Sequence, residues 1–231
     1  MAVCFAVMDA DVSAPEPGLR ERKKEQTRRL IADTARRLFA ERGFDAVPVA
    51  EIARAADVAE KTVFNYFPTK EDLFYSGMEA FEERLLEAVR EREPGETVLA
   101  AFRRFVLRPE GVFAMRDAGK GGGRAATERL RTIARVVTES PALLARERSV
   151  LARYADALAA LIAAETGADA DDLEPRIAAH ALIGVHRSLI DHVRRRAAAG
   201  ASATRIAREL SEQGERAFAL LERGLGDYAA R

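Results

Sequence analysis

The nineteen residues from Val49 to Phe67, VAEIARAADVAEKTVFNYF, limit what this chain can fold into more than any other stretch. Val49, Ile52 and Ala53 lie on one face of a short helix, Ala56-Asp57 interrupts it, and a second apolar face resumes at Val58, Val63 and Phe67. Two short helices joined by a tight turn are a helix-turn-helix. Asp57 falls where the turn needs a left-handed residue, a conformation that Asp and Asn tolerate because their short polar side chains hydrogen-bond locally. With Ala59 as N-cap of the second helix, Val58 and Val63 occupy the two positions of a hydrophobic staple, which fixes the angle between the helices.

That angle presents one helix outward. With Val63 and Phe67 turned in, Glu60, Lys61, Thr62, Asn65 and Tyr66 lie on the exposed side and Phe64 at its edge. These residue types suit a major groove: Asn pairs with adenine, Lys with guanine or phosphate, and Thr and the aromatics meet a thymine methyl or a sugar-phosphate oxygen. An ordinary solvated face also carries Glu, Lys and Asn. Water, however, gives no reason to display two rings together. In the next segment, PTKEDL, Pro68 stops the recognition helix, Thr69 caps the following one, and Asp72 stands at the capping-box position. Lys70 then sits in a first helical turn, where it is either a solvated lysine or a contact for an arriving phosphate.

The run GFDAVPVAEIARAADVAEKTVFNYFPTKEDLF, Gly43 to Phe74, resembles the DNA-binding domain of the tetracycline-repressor (TetR) family of bacterial transcriptional regulators, including its ending Tyr66-Phe67-x-x-Lys70-Glu71. The resemblance covers about residues 24 to 75 and departs from the family pattern twice. Val47-Pro48 replaces the usual Thr or Ser before the first helix, and Ala59 replaces the usual Ser or Thr cap, a change that typically costs ~1 kcal/mol. The resemblance implies an all-α fold, with an N-terminal three-helix DNA-binding domain followed by a larger helical ligand-binding and dimerisation domain. It also implies a partner in double-stranded DNA, a small-molecule effector and a homodimer.

Charge supports the same partner locally. The chain has 37 Lys and Arg against 37 Asp and Glu, a balance that by itself points to no nucleic acid. Between Arg20 and Arg42, nine basic residues face four acidic ones, an electrostatic footprint for phosphates. The apolar positions Leu30, Ile31, Ala35, Leu38 and Phe39 make residues 24 to 42 a helix across the back of the motif, ended by Gly43. Its opening Lys24, Thr27 and Arg28, with Val49, join the expected DNA-contacting set. The single Cys4 excludes an internal disulfide framework and fits a reducing cytoplasm. Residues 1–19 lack the features of a secretory signal and read as a disordered tail, which leaves 20–75 as the DNA-binding domain and 76–231 as the body. The longest apolar run, Ala157 to Ala164, is too short for a membrane span.

In the body, Leu73 to about Arg92 reads as one helix joining the head to the rest, followed by helices at Thr97–Arg108, Ala125–Thr138, Pro141–Glu165, Asp171–Ala199 and Ala201–Leu225. The glycine-rich segment within 109–124 lacks a preceding strand and the Gly-Lys-Ser/Thr ending of a phosphate loop, and reads as a mobile connection. His180, His186 and His192 recur every six residues and so fan around their helix, which argues against a metal site. Phe102, Phe105, Phe113, Arg135, Tyr154, Leu158 and His180 are candidates for an effector pocket, although the apolar ones suit a plain core equally. Small residues on the last two helices, Ala181, Gly184 and Ser188 with Gly214, Ala217 and Leu221, suit either an intrachain bundle or a dimer seam. No cofactor motif and none of the common catalytic signatures is present. The leading reading is therefore a ligand-responsive repressor, not an enzyme; the alternative is a helical enzyme or binding module with an incidental helix-turn-helix.

Overall fold

The computed structural model describes residues 18–76, 78–108, 122–169 and 171–225, and among these it forms ten α-helices and no strand. The head comprises α1 (Leu19–Arg42), α2 (Val49–Ala55), α3 (Glu60–Tyr66) and α4 (Lys70–Phe74). The body comprises α5 (Met78–Arg90), α6 (Val98–Val106), α7 (Gly122–Glu139), α8 (Pro141–Thr166), α9 (Glu174–Ala198) and α10 (Ala203–Leu225). The expected tail lies outside the described residues as far as residue 17, and Leu19 already belongs to α1. The Glu21 carboxylate accepts from the Gly18 N–H at the start of that helix, so α1 begins five residues before the expected Lys24.

Each helix of the head stops for a local reason. Gly43, at φ 85°, ends α1 while its N–H donates to the Phe39 carbonyl at 2.8 Å. After α2, Asp57 is the one non-glycine residue at positive φ among those described, at 53°. The N–H of Val58 reaches the Ala53 carbonyl and that of Asp57 reaches Arg54, the pair of bonds of a Schellman ending. Ile31, Ala35, Phe39, Phe44, Ile52, Val63, Phe67 and Leu73 pack as the head's apolar cluster. Val136 and Val137 at the end of α7 and Leu143 at the start of α8 are buried in that same cluster, so the body completes the core of the head.

The link between head and body differs from the single helix expected over Leu73–Arg92. α4 ends at Phe74 and α5 starts at Met78. Tyr75 is held sideways: its hydroxyl donates to the Leu143 carbonyl at 3.1 Å and its ring meets Phe74 edge-on. The sequence also places Gly77, a poor helix former, at the break. α7 begins at Gly122, three residues before the expected Ala125, and most of the expected mobile segment lies outside the described residues.

The body is a helical bundle around Leu85, Phe102, Val150, Tyr154, Leu158, Ala179, Leu182 and Phe218. Arg92, almost wholly buried, staples the end of α5 to α8: it donates to the carbonyls of Val89 and Glu96 and pairs with Glu165 at 2.7 Å. Gly214 does not lie on an outer face. It is buried on α10, and a Cβ there would come within 2.4 Å of the Leu107 side chain, so this small residue serves packing within the chain. Leu221 likewise packs against the body core. Gly184 and Ser188 face out, Ala181 and Ala217 are half-buried, and a Cβ at Gly184 would meet nothing.

Candidate nucleic-acid interface

α3 owes its outward pose to three contacts. Val63 is fully buried beneath it, Val58 packs against the same cluster before it, and the Phe67 N–H closes on the Val63 carbonyl at its end. No side chain caps its start, since Ala59 has no group to do so. Glu60, Lys61 and Asn65 are exposed, Thr62 is half-buried, and Phe64 keeps 44 % of its surface in solvent. Tyr66 departs from the expected exposed side. It is half-buried and lines a cavity of about 50 Å³ with Arg28, Asp72, Tyr75, Arg146 and Arg153 where the head meets α8.

The flanks of α3 carry the remaining expected contacts. Lys24 is exposed on α1, whereas Thr27 is half-buried and its hydroxyl donates to the Lys23 carbonyl. Arg28 turns toward the junction, its guanidinium 5.2 Å from the Phe67 ring centre. Val49, in the first turn of α2, is half-buried against the head cluster. Lys70 opens α4 with its ammonium 4.3 Å from the centre of the Phe44 ring. Partial burial holds its pKa below the ordinary lysine value, against the opposing pull of Asp45 and Glu71.

Asp72 joins this interface to the body. Within α4 its carboxylate accepts from the Thr69 N–H and hydroxyl while its own N–H donates to Thr69, a complete capping box. Its other oxygen accepts from Arg146 of α8 at 2.6 Å. At the next residue of α8, Glu147 accepts from Tyr75 and from Arg194 of α9. Burial, followed by the nearby Glu147 charge, pushes the Tyr75 phenol up. Ser140 caps α8 and donates to Asp45 of the head at 2.9 Å.

The expected pocket residues divide. Phe102, Phe105, Tyr154 and Leu158 are buried together in the body core. Arg135 is elsewhere: it is exposed on α7 and donates to the Ala40 carbonyl near the end of α1, clamping head to body. His180 is exposed on α9, and the histidine that turns into the core is His186. Phe113 lies outside the described residues. A cleft of about 320 Å³ opens between α5 and α6, lined by Phe81, Arg84, Glu87, Ala88, Glu91, Arg104, Phe105 and Arg108. The sequence signal for His186 is that its neighbours at three and four residues, Leu182, Ile183, Leu189 and Ile190, are all apolar, while those of the expected His180 include Arg176 and Gly184. No group of His, Cys, Asp and Glu able to hold a metal occurs among the described residues, and no helix there is long and apolar enough to cross a membrane.

A helix-turn-helix with an exposed recognition face, backed by a basic helix and carried on a helical body, defines a DNA-binding transcriptional regulator. The chain belongs to the TetR family of bacterial regulatory proteins: residues 31–76 match the family's DNA-binding model, and residues 113–227 match the model of the MftR C-terminal domain. It is 33 % identical over 160 residues to the HTH-type transcriptional regulator TcmR of Streptomyces glaucescens, which covers 68 % of this chain and 67 % of that protein. With MftR of Mycobacterium tuberculosis, a regulator named for mycofactocin biosynthesis, it shares 26 % over 178 residues, 74 % of this chain and 81 % of MftR. The fold is similar to that of NalD, the secondary repressor of a multidrug efflux pump in Pseudomonas aeruginosa. The TM-score is 0.51 at 22 % identity, covering 84 % of this chain and 97 % of NalD. A fatty acid degradation regulator, FadR of Bacillus halodurans, gives the same score and identity over 86 % of this chain and 96 % of that one.

Proposed function

We propose that this protein is a homodimeric repressor that leaves an inverted-repeat operator when a small molecule binds its body. The observation that carries the reading is the outward face of α3, where Lys61, Asn65 and the exposed Phe64 ring stand on a helix whose opposite side is locked into the head. Asn65 and Lys61 read base edges, Thr62 and Phe64 meet methyl or sugar groups, and Lys24 and Lys70 meet phosphates. Arg28 and Tyr66 reach the duplex only from the junction side of the head.

A recognition helix of seven residues reads too few base pairs for a useful site, so a second copy supplies the other half-site, ~34 Å away or a multiple of that. The stripe Ile177, Ala181, Gly184 and Ser188 on α9, with Leu173 at its N-cap, supports this. Leu173 and Ile177 are 67 % and 60 % exposed, and Gly184 opens on empty space. Small and apolar residues at helical spacing suit a partner helix approaching closely. Effector binding in the body then acts on the heads through the α7–α8 corner and the Asp72–Arg146 pair, changing the separation or tilt of the two recognition helices.

Selection of bound sequences from random duplexes tests the reading. An inverted repeat is expected, with affinity that falls steeply as salt rises. Uniform binding of all duplexes, or an operator-saturating species that is monomeric, would overturn it.

A further inference from the structure

His186 is a buried polar group of the body that helix packing does not explain. It is 3 % exposed on α9, and its Nδ1 has no hydrogen-bond partner. Burial alone, with no charged neighbour contributing, holds the imidazole neutral. A buried nitrogen left unpaired carries a penalty of ~1–3 kcal/mol, so such groups usually have a reason to exist. Its ring stacks on Phe81 of α5 at 5.1 Å and 20°. Phe81 also stacks on Tyr154 at 5.9 Å and packs against Phe105 at 5.2 Å. Phe81 and Phe105 are at the same time walls of the cleft between α5 and α6. One half-buried ring therefore touches both the open cleft and the unpaired imidazole.

We infer that the cleft and His186 form one effector site, which takes a flat aromatic molecule bearing a phenolic hydroxyl that turns Phe81 aside and pairs with His186 Nδ1. The inference rests on the effector-responsive reading above and adds the chemical class. Stacked rings favour a planar guest, because aromatic faces gain from offset stacking with one another. A neutral imidazole nitrogen donates or accepts according to its tautomer, and a hydroxyl answers either. A carboxylate only accepts and an ammonium only donates, and each would enter an apolar stack without a counter-charge. At the mouth, Arg84, Arg104 and Arg108 stand with Glu87 and Glu91, so the outer end of the guest meets both signs of charge. The volume of about 320 Å³ falls within the range of small-molecule sites.

The probes are 2-naphthol and naphthalene, which share a ring system and differ by the hydroxyl. The chain has no tryptophan, so naphthol emission is read without that background. The full chain is expected to bind 2-naphthol about tenfold or more tightly than naphthalene. His186→Leu should remove the preference for 2-naphthol over naphthalene. In the parent protein, which needs no substitution, the His186 imidazole nitrogen resonance should move far more with 2-naphthol, which pairs with it, than with naphthalene, which only stacks. Equal affinity for the two probes, binding of neither, a resonance that moves no further with 2-naphthol than with naphthalene or a preference that survives His186→Leu would overturn the inference. Operator binding is measured separately without probe: its failure would remove the regulator reading, whereas intact operator binding with no probe preference removes only the ligand class.

Discussion

Lys70 stands at the start of α4 with its ammonium on the Phe44 ring, half out of water. A phosphate contact there positions the head without reading sequence. Lys70→Ala should therefore lower affinity for all duplexes by a similar factor, and Asn65→Ala should change which duplexes are preferred. Fluorescence anisotropy across a duplex panel at low salt checks both, and unchanged affinity of the Lys70→Ala protein would remove that contact. His186 gives a second prediction through its proton. Its pKa falls to about 4 in the folded chain from the ordinary 6.5 because burial disfavours the charged ring. Between those values the unfolded chain binds more protons, so stability is lost as pH drops through that window and levels off below it. From pH 7 to pH 5 the loss is about 2 kcal/mol. Urea titrations at the two pH values should show that difference in the parent beyond any seen in His186→Leu. The helical spacing of the three histidines was legible in the sequence, whereas the choice of His186 over the exposed His180 as the inward ring depends on the apolar residues three and four positions to either side of it.

Capping chemistry is the part of element structure that sequence carried best. Thr69 and Asp72 make the box their spacing implied, and Asp57 takes the left-handed turn between α2 and α3. The break between α4 and α5 was not legible in the same way, because apolar periodicity runs across it and the anchors that hold Tyr75 aside, Leu143 and Glu147, come from about seventy residues away. Tertiary contacts likewise separate Gly184, which opens outward, from Gly214, which lies under Leu107. The double use of Asp72 yields an element-scale prediction. Asp72→Ala removes the return half of the α4 box together with the tie to α8, and should cost ~1–2 kcal/mol and weaken operator binding. Arg146→Ala leaves the box intact and removes only a partly exposed pair, so its stability loss should stay under ~1 kcal/mol. Denaturant midpoints of the two variants decide the point, and equal losses would show that the box contributes nothing to holding α4.

For the whole molecule, the outward stripe of α9 offers a test that spares the fold. Since nothing lies near a Cβ at Gly184, Gly184→Leu leaves the protomer's packing alone while forcing a partner helix away. Sedimentation should show the dimer dissociating at concentrations where the parent stays paired, and operator affinity should fall with it. A variant that remains dimeric would move the seam elsewhere. The burial of Val136, Val137 and Leu143 among head residues bears on a different property, cooperativity. A head whose interior is finished by its neighbour has no independent melting equilibrium, so loss of that interior exposes both at once. Calorimetry of the full chain should give one endotherm. Amide exchange in α1 and α3 should slow to the pace of α8, and two resolved endotherms would contradict this. A regulator built so cannot switch off by unravelling its reading unit. On the proposed reading, its recognition helices stay folded when they leave the duplex, ready to rebind as soon as the body relaxes.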